Sequence, residues 1–279
     1  MNRNIKALVQ ACGELGVEYE VAHATGNLVA VVIGGRRYVF SNWSTPLNSH
    51  SVAQLCQDKE YFYSFYKDVV RMPATRGYLA PHIDERYANY LECGSLREIV
   101  VDVESAFGYP LIVKKNRGSW GRNVFKVGSA KELERALLEV FNYNSASFDY
   151  VALVQEYIEI EREFRAVFLG GKLEMVYEKV TDGASFVDNL SPLHWEGARA
   201  AFVKEKRLLE EISRFCAPMF EKMMIEFCGV DIAVDKSGDM WLIEANSSPG
   251  FDYIVKSEGE EEVVALYRSM LGYLQKAGN

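Results

Sequence analysis

Residues 239–250 read DMWLIEANSSPG and place two polar side chains, Glu244 and Asn246, at the end of an apolar run. The run suits a buried strand, and residues i and i+2 of a strand face the same side. Residues 229–235, GVDIAVD, predict the other strand of a hairpin turning at the intervening Ser-Gly dipeptide, which sets Asp231 opposite Glu244. The sequence therefore predicts three oxygen-bearing side chains at one end of an otherwise apolar hairpin.

Two carboxylates this close repel each other unless a cation lies between them. Mg²⁺ prefers hard oxygen ligands and usually binds through one or two carboxylates together with substrate phosphates. Asp231, Glu244 and Asn246 are therefore candidate metal ligands. The alternative is a hairpin whose polar face is simply solvated, and the hairpin taken alone favours neither interpretation.

Composition limits the class of protein. The 279 residues are 49% hydrophobic, which is enough for a substantial core, and the net charge of -8 disfavours a nucleic-acid partner. Five cysteines without a C-x-x-C motif suggest neither a disulfide framework nor a structural zinc site. The first residues are too polar for a signal peptide, and no apolar run approaches the roughly 20 residues that span a bilayer. We therefore expect a cytoplasmic protein that binds no membrane.

Periodicity and turn residues predict alternating helices and hairpins, an α+β or mixed α/β pattern. The predicted helices cover 5–12, 51–70, 129–141, 204–228 with Gly229 as the stop, and 260–275; the predicted hairpins cover 28–40, 163–180 and 230–246; further strands cover 109–116, 124–127 and 150–158.

Lysines and a glycine-containing loop suggest a phosphate site. Lys114 ends an apolar strand immediately before the loop RGSWGRN, residues 117–123. Backbone N–H groups of such loops can hold phosphate, and a nearby lysine adds charge. The loop matches neither the P-loop nor the dinucleotide-binding pattern, so the signal is weak alone. Lys59 and Lys179 are further candidates, although a solvated surface lysine is the better explanation of Lys59 when it is taken alone.

Taken in chain order, these segments resemble the ATP-grasp superfamily. The resemblance is strongest to its carboxylate–amine ligases, such as the ribosomal-protein glutamate ligases and cyanophycin synthetase, and more distant to D-alanine–D-alanine ligase. It covers about residues 50–275, and the Glu-x-Asn-x-x-Pro-Gly ending with an upstream Gly-x-Asp is its most specific part. The matching segments are Asp58-Lys59, PLIVK at 110–114, RGSWGRN at 117–123, QEYI at 155–158, EFR at 163–165, YEK at 177–179, GVD at 229–231 and IEANSSPG at 243–250.

The resemblance implies an ATP-grasp fold, in which two α+β subdomains grip ATP, preceded by a short N-terminal α/β region. It divides the chain into a substrate-side region, 1–50, and an ATP-grasp domain, 51–279. Within that domain, the lid subdomain would cover about 107–158 and the catalytic subdomain about 159–279.

The resemblance also implies a role for each matching residue. The ATP phosphates would contact Lys59, Lys114 and Lys179 beneath a loop containing Gly118, Ser119, Trp120 and Gly121, while the adenine would lie against Gln155, Glu156, Tyr157 and Ile158 and the ribose would bind Glu163. Two Mg²⁺ ions, or Mn²⁺ as the alternative metal, would bind Asp231, Glu244 and Asn246. Arg165, then Arg199, would bind a substrate carboxylate or the acyl phosphate.

The implied activity is an ATP-dependent ligase that joins a carboxylate to an amine through an acyl phosphate. The substrates are small molecules or peptides, and a homodimer is one assembly that the resemblance allows. One alternative is an ATP-grasp kinase acting on a hydroxyl of a small anionic substrate, and another is a nucleotide-binding protein with a silent site. Three positions depart from the pattern: Lys115 replaces a common proline, Trp120 is bulky for the loop, and Gly229 stands where D-alanine ligases carry an arginine.

Overall fold

The computed structural model describes residues 1–118, 121, 123–145, 148–187, 189–257 and 259–277. Ser119 and Trp120, both predicted to lie in the phosphate-binding loop, fall outside the described residues. Within those ranges, no helix is both long enough and apolar enough to cross a bilayer.

Helices and strands alternate along the chain. The helices are α1 (Arg3–Leu15), α2 (His50–Gln57), α3 (Lys59–Tyr66), α4 (Leu96–Ala106), α5 (Ala130–Val140), α6 (Lys206–Lys222), α7 (Asp252–Lys256) and α8 (Glu260–Ala277), with 3₁₀ turns at Glu85–Tyr90 and Pro192–His194. The strands are β1 (Tyr19–Val21), β2 (Leu28–Ile33), β3 (Arg36–Ser41), β4 (Thr75–Leu79), β5 (Leu111–Lys115), β6 (Val124–Val127), β7 (Val151–Glu156), β8 (Ile160–Leu169), β9 (Lys172–Val180), β10 (Arg199–Phe202), β11 (Phe227–Asp235) and β12 (Met240–Asn246).

The described strands form three antiparallel sheets. An N-terminal sheet has the order β1-β2-β3, a four-stranded sheet has β4-β7-β5-β6, and a five-stranded sheet has β10-β9-β8-β11-β12. The hairpins β2–β3, β8–β9 and β11–β12 are those that the sequence predicts, which confirms the α+β class.

The five-stranded sheet is covered on both faces. Along β8, the alternate residues Phe164, Ala166 and Phe168 pack into one apolar cluster with α6, while Val167 and Leu169 pack into another with α1 and α8. A third cluster joins the four-stranded sheet to α4 and α5. Because a strand alternates its side chains between two faces, burial of both faces requires an apolar residue at nearly every position. Polar side chains in the buried parts of these strands, such as Arg165 within 164–169 and Asp231 within 227–233, are therefore exceptional.

The predicted domain bounds stay a prediction. The N-terminal helix α1 packs in the same apolar cluster as α8, so residues 1–50 share a core with the end of the chain. The four-stranded sheet takes in β4 and packs on α4, both of which precede residue 107.

The helix predicted over 51–70 is wrong, because the chain breaks into two helices at Asp58. Asp58 has φ -95° and ψ 100°, outside the helical region, and ends α2. Its carboxylate then accepts a hydrogen bond from the Tyr61 N–H at 3.0 Å and caps α3. The cap fixes where α3 begins, and Lys59 is the first residue of that helix.

The predicted stop of the helix over 204–228 is also wrong. Helix α6 ends at Lys222, and Gly229 lies inside β11, between β8 and β12. Residues 227–235 satisfy their backbone groups through these two neighbours and bury seven consecutive residues. Tertiary pairing therefore overrides the helical periodicity of the preceding methionine-rich run.

Asp58→Ala should lower the free energy of unfolding by about 1 kcal/mol, because the Tyr61 N–H in the first turn of α3 loses the carboxylate that caps it. Asp58→Asn should keep most of the stability, since asparagine caps equally well. Urea unfolding followed by circular dichroism measures both. Equal unfolding midpoints for Asp58→Ala and the wild type would contradict the capping role.

Candidate active site

A cavity of about 900 Å³ lies between the four-stranded and five-stranded sheets. Side chains of β5 and β7 line one wall, and side chains of β8, β9, β11 and β12 line the other. Of the described residues with predicted roles, Arg199 alone does not line it. Those that do are Lys59, Lys114, Gly118, Gly121, Gln155, Glu156, Tyr157, Ile158, Glu163, Arg165, Lys179, Asp231, Glu244 and Asn246.

The hairpin β11–β12 brings the predicted oxygen donors together. Asp231 pairs with Glu244 in the strand register, and a bulge follows at Ile232. The Asn246 Nδ2 donates a hydrogen bond to Glu244 Oε1 at 3.1 Å, so these two side chains project to the same side. The predicted register of the hairpin is therefore confirmed.

Asp231 is surrounded by cations of the chain itself. Arg165 on β8 donates from Nη2 to Oδ2 at 2.7 Å and also from Nε to Oδ1. Lys179 on β9 lies 3.1 Å from Oδ1 and forms a second ion pair with Glu163. Side chains of the protein itself therefore balance the charge of Asp231, and a metal ion at Asp231 stays a prediction.

These ion pairs shift the pKa values of the buried Asp231, Lys179 and Glu163 side chains. Burial would raise the pKa of Asp231, but the Arg165 guanidinium and the Lys179 ammonium outweigh it and hold the pKa at about 2. Burial would likewise lower the pKa of Lys179, but the carboxylates of Asp231 and Glu163 raise it instead. Burial raises the pKa of Glu163, and Lys179 opposes that rise. Asp231 is consequently ionised across the physiological range.

Lys59 connects the loop after β5 to Glu244. Its Nζ donates to the Gly118 carbonyl at 2.6 Å and lies 3.5 Å from the Asn116 carbonyl and 3.6 Å from Glu244 Oε2. Burial would raise the pKa of Glu244, but Lys59, together with Lys114, keeps it below the ordinary value. One lysine therefore reaches both sides of the cavity.

Lys114 is buried on β5, and among the described residues its hydrogen-bond partner is the neutral Gln155 side chain. Its Nζ donates to Gln155 Oε1 at 2.9 Å, and the Gln155 Nε2 donates in turn to Thr75 Oγ1 at 2.7 Å. Burial lowers the pKa of Lys114 to about 8, with Glu244 opposing and Lys59 reinforcing the shift. Near pH 8 part of the lysine is therefore neutral, and an entering anion would raise its pKa and its protonated fraction.

The end of β7 forms a narrow edge of the cavity. The Glu156 N–H donates to the Ala74 carbonyl at 2.8 Å, and the Ala74 N–H donates to Glu156 Oε2 at 3.2 Å. Tyr157 and Ile158 continue the edge, and Ile112 of β5 supplies an apolar wall. The Lys126 Nζ stands 3.7 Å from the centre of the Tyr157 ring, a cation–π contact that orients the ring.

Asp231, Glu244 and Asn246 fit a magnesium ion only if a bound phosphate supplies further oxygen ligands. Among the described residues, no group of three or more His, Cys, Asp or Glu side chains is arranged to hold a metal. Glu244 and the Asn246 amide oxygen are suitable hard donors, whereas both oxygens of Asp231 already accept from cations. Mg²⁺ commonly completes such a set with phosphate oxygens and water. The residues present therefore fit a magnesium–phosphate complex better than a bare ion.

Arg199 lies apart from the other predicted residues. It opens β10 and lines an adjoining pocket of about 640 Å³. His194, Tyr253 and Lys256 line both spaces, so the two pockets adjoin. The Tyr253 hydroxyl lies 2.8 Å from His194 Nδ1.

The sequence missed several residues that line the main cavity. Trp43 comes from the N-terminal region, and the segments 190–195 and 248–253 supply most of the remaining wall. The Ser-Ser-Pro-Gly turn after Asn246 signalled the second segment. Nothing local signalled Trp43, because it reaches the cavity through contacts some 200 residues away along the chain.

Gly229 allows Arg165 to lie flat against β11. A Cβ at this position would stand 2.9 Å from Arg165 Cδ and 3.0 Å from Pro249 Cβ. Both neighbours are held in place, Arg165 by Asp231 and Pro249 within the turn that follows β12. Glycine is therefore required by close packing beneath the charged cluster.

A comparison with protein families agrees with this geometry. Residues 92–269 match the RimK-like ATP-grasp domain, which is more than half of the chain. The chain belongs to the RimK-like ATP-grasp family. The resemblance to ATP-grasp carboxylate–amine ligases that the motifs carry is thereby confirmed, and so is the ATP-grasp fold.

Several curated proteins are similar in sequence. A probable alpha-L-glutamate ligase of Vibrio atlanticus is 31% identical over 162 residues, which cover 57% of this chain and 49% of that protein. A D-alanine–D-alanine ligase of Clostridium beijerinckii is 24% identical, covering 70% and 59%. The LysX ligase of Sulfurisphaera tokodaii, named alpha-aminoadipate–LysW ligase, is 22% identical, covering 85% and 76%. The chain thus spans less than two thirds of the first two relatives.

Solved structures show the same fold at low identity. The D-alanine–D-alanine ligase of Bacillus anthracis complexed with ATP superposes with a TM-score of 0.56 at 16% identity, covering 83% of this chain and 72% of that one. The ATP-grasp ligase PsnB, complexed with a minimal precursor, gives 0.51 at 14% identity, covering 81% and 64%.

Gly229→Ala should lower the free energy of unfolding by about 1–3 kcal/mol and loosen the Arg165–Asp231 pair, because the added methyl group overlaps two fixed neighbours. Gly272→Ala is the matched control. Its Cβ would meet nothing within 4 Å, so in α8 it should stabilise by about 0.5–1 kcal/mol. Thermal unfolding of both variants measures the contrast. Tolerance of the methyl group at 229 would show that the packing there is not restrictive.

Proposed function

We propose that the protein is an ATP-dependent ligase that forms an amide bond between a carboxylate and an amine. One observation carries the proposal: the cavity brings buried lysines of both sheets against the carboxylates of Asp231 and Glu244. A site with this charge pattern can hold a polyanion and a second anionic group side by side. The relatives named as ligases support the same activity.

The nucleotide would lie between the two sheets. Lys59, Lys114 and Lys179 would neutralise the phosphates, each leaving or sharing its present partner. The edge at Gln155–Ile158 would hold the adenine through backbone groups and apolar contact, and Glu163 would bind the ribose. Because the lysines come from α3, β5 and β9, nucleotide binding would also fix the two sheets relative to each other.

Glu244 and Asn246 would hold magnesium, with Asp231 at its side, and the resemblance implies two ions. Bound there, the metal would neutralise phosphate charge. Arg165 would keep Asp231 ionised and oriented, while its remaining N–H groups could contact the developing acyl phosphate.

The chemistry requires alignment more than covalent participation by the protein. A carboxylate oxygen attacks the γ-phosphorus, the bond to the β-phosphate oxygen breaks, and ADP leaves. The amine nitrogen then attacks the acyl carbon, the carbon–oxygen bond to phosphate breaks, and the nitrogen loses a proton. The cationic groups would hold two anions in contact that otherwise repel each other, and the cavity between the sheets would limit the access of water to the acyl phosphate.

The substrates would enter from the adjoining pocket. Arg199 and Lys256 at that pocket could hold a carboxylate of either substrate, and Tyr253 and His194 supply a polar contact between them. This end of the cavity would decide between a small molecule and a peptide.

The ligase activity predicts that hydroxylamine traps the acyl phosphate as a hydroxamate. ADP release should require a carboxylate from a panel of amino acids and peptides, and hydroxamate should accumulate in proportion to ADP. Glu244→Gln should reduce both by about 100-fold or more, because a metal ligand and a site charge are lost.

Glu178→Gln is the control, since Glu178 neighbours Lys179 but pairs with Arg162 outside the cavity. It should retain the wild-type rates. Carboxylate-independent ADP release across the whole panel would count against the ligase, and a stable phosphorylated product would indicate a kinase instead.

Lys114 predicts proton uptake on nucleotide binding. At pH 8, a pKa of about 8 leaves the free lysine half protonated, and a bound phosphate raises the pKa, so AMP-PNP should take up about half a proton. At pH 6 the lysine is already charged and its contribution should vanish. Calorimetry in buffers of different ionisation enthalpy measures the uptake. Lys114→Met should abolish it at pH 8, and unchanged uptake in this variant would assign the proton elsewhere.

A further inference from the structure

The turn after the catalytic strand β12 is held by a side chain from the other end of the chain. Asn4 of α1 donates from Nδ2 to the Pro249 carbonyl at 3.0 Å. Its Oδ1 accepts from the Phe251 N–H at 3.1 Å. One amide therefore bridges two backbone groups of the same turn, about 245 residues away in sequence.

This amide is buried, and so are its partners. Asn4 is 1% exposed and Phe251 is fully buried, while the Tyr267 hydroxyl of α8 also contacts the Asn4 side chain. A buried donor or acceptor left without a partner is strongly unfavourable. Within this turn, Asn4 thus satisfies a carbonyl and an N–H that water does not reach.

A second asparagine holds the other end of the same segment. The Asn48 Nδ2 donates to the Phe227 carbonyl at 2.6 Å and lies 3.4 Å from the Ser247 carbonyl. Its Oδ1 accepts from the Phe227 N–H at 3.2 Å. Asn48 therefore ties the start of β11 to the residue that follows Asn246.

The turn that Asn4 holds forms part of the cavity wall. Ser248, Pro249 and Gly250 line the cavity immediately after Asn246. Gly250 packs on the Trp43 indole, since a Cβ there would lie 3.3 Å from Nε1. The position of the turn thereby fixes both the end of β12 and one wall of the cavity.

We propose that Asn4 is a positioning residue, which acts through the Pro249–Phe251 turn to hold Asn246 and Glu244 in the geometry that binds magnesium–nucleotide. The effect of Asn4 on magnesium–nucleotide binding rests on the proposed function, whereas the contacts of Asn4 with the turn do not. The short N-terminal region would then serve the ATP end of the site as well as the substrate end.

Asn4→Leu removes both hydrogen bonds to the turn and keeps the number and branching of the side-chain heavy atoms, whereas Asn4→Asp keeps the acceptor for Phe251 and loses the donor for Pro249. Leu8→Ala is the matched control, because Leu8 lies one turn further along α1, fully buried in the same cluster, and has no bond to the turn. All three variants are compared at equal fractional stability, by choosing temperatures the same interval below each unfolding midpoint.

The first measurement is amide hydrogen exchange of the peptide covering residues 247–256. Asn4→Leu should speed exchange in this peptide by about tenfold or more relative to Leu8→Ala, with Asn4→Asp between them. Equal exchange in Asn4→Leu and Leu8→Ala would show that Asn4 does not hold the turn, because the faster exchange would then reflect a general loss of core stability.

The second measurement is the Mg²⁺ dependence of AMP-PNP binding by calorimetry. Asn4→Leu should raise the Mg²⁺ concentration for half-maximal binding about tenfold, since loss of a supporting contact weakens metal sites by this order. Leu8→Ala should match the wild type. An unchanged Mg²⁺ requirement in Asn4→Leu would overturn the positioning role, whereas a wild-type chain that binds no AMP-PNP would refute the proposed function and leave the exchange result standing.

Discussion

The ionised Asp231 is buried in the five-stranded sheet and held by Arg165 and Lys179, and the rest of the site depends on keeping this charge satisfied. A charge at such a position is tolerated only if cations and hydrogen-bond donors surround it. The donors come from β8 and β9, so three strands must keep their register for the charge to remain satisfied. Gly229 then follows as a packing requirement, because the guanidinium needs the space that a side chain would fill.

The same logic extends across the cavity to the second sheet. Lys59 of α3 and Lys114 of β5 face Glu244, so this carboxylate of the five-stranded sheet is matched by ammonium groups from outside that sheet. In this state the positive groups are engaged with protein partners and not aimed at empty space. An entering polyanion would replace those partners with its own oxygens. The cationic groups are therefore already positioned in the cavity before the polyanion binds.

The sequence predicted those parts of the fold and site that are encoded locally. The β11–β12 register followed from alternation and one turn, and the lysines and carboxylates followed from short motifs in a fixed order. The break at Asp58 was missed because a cap and a mid-helix aspartate look alike in an amphipathic run. The ion pairs of Asp231, the cavity wall at Trp43 and the bonds of Asn4 were missed because each joins segments that only the tertiary fold brings together.

The shared cluster of α1 and α8 has a consequence for how the protein is made. Helix α1 leaves the ribosome before α8, yet its apolar face packs on residues near 263–274 that are translated more than 200 codons later. Contacts of such high sequence separation form late, and the exposed face meanwhile invites association with other chains. The nascent α1 segment therefore has to be shielded, or to remain only loosely collapsed, until α8 has been synthesised and completes the shared core.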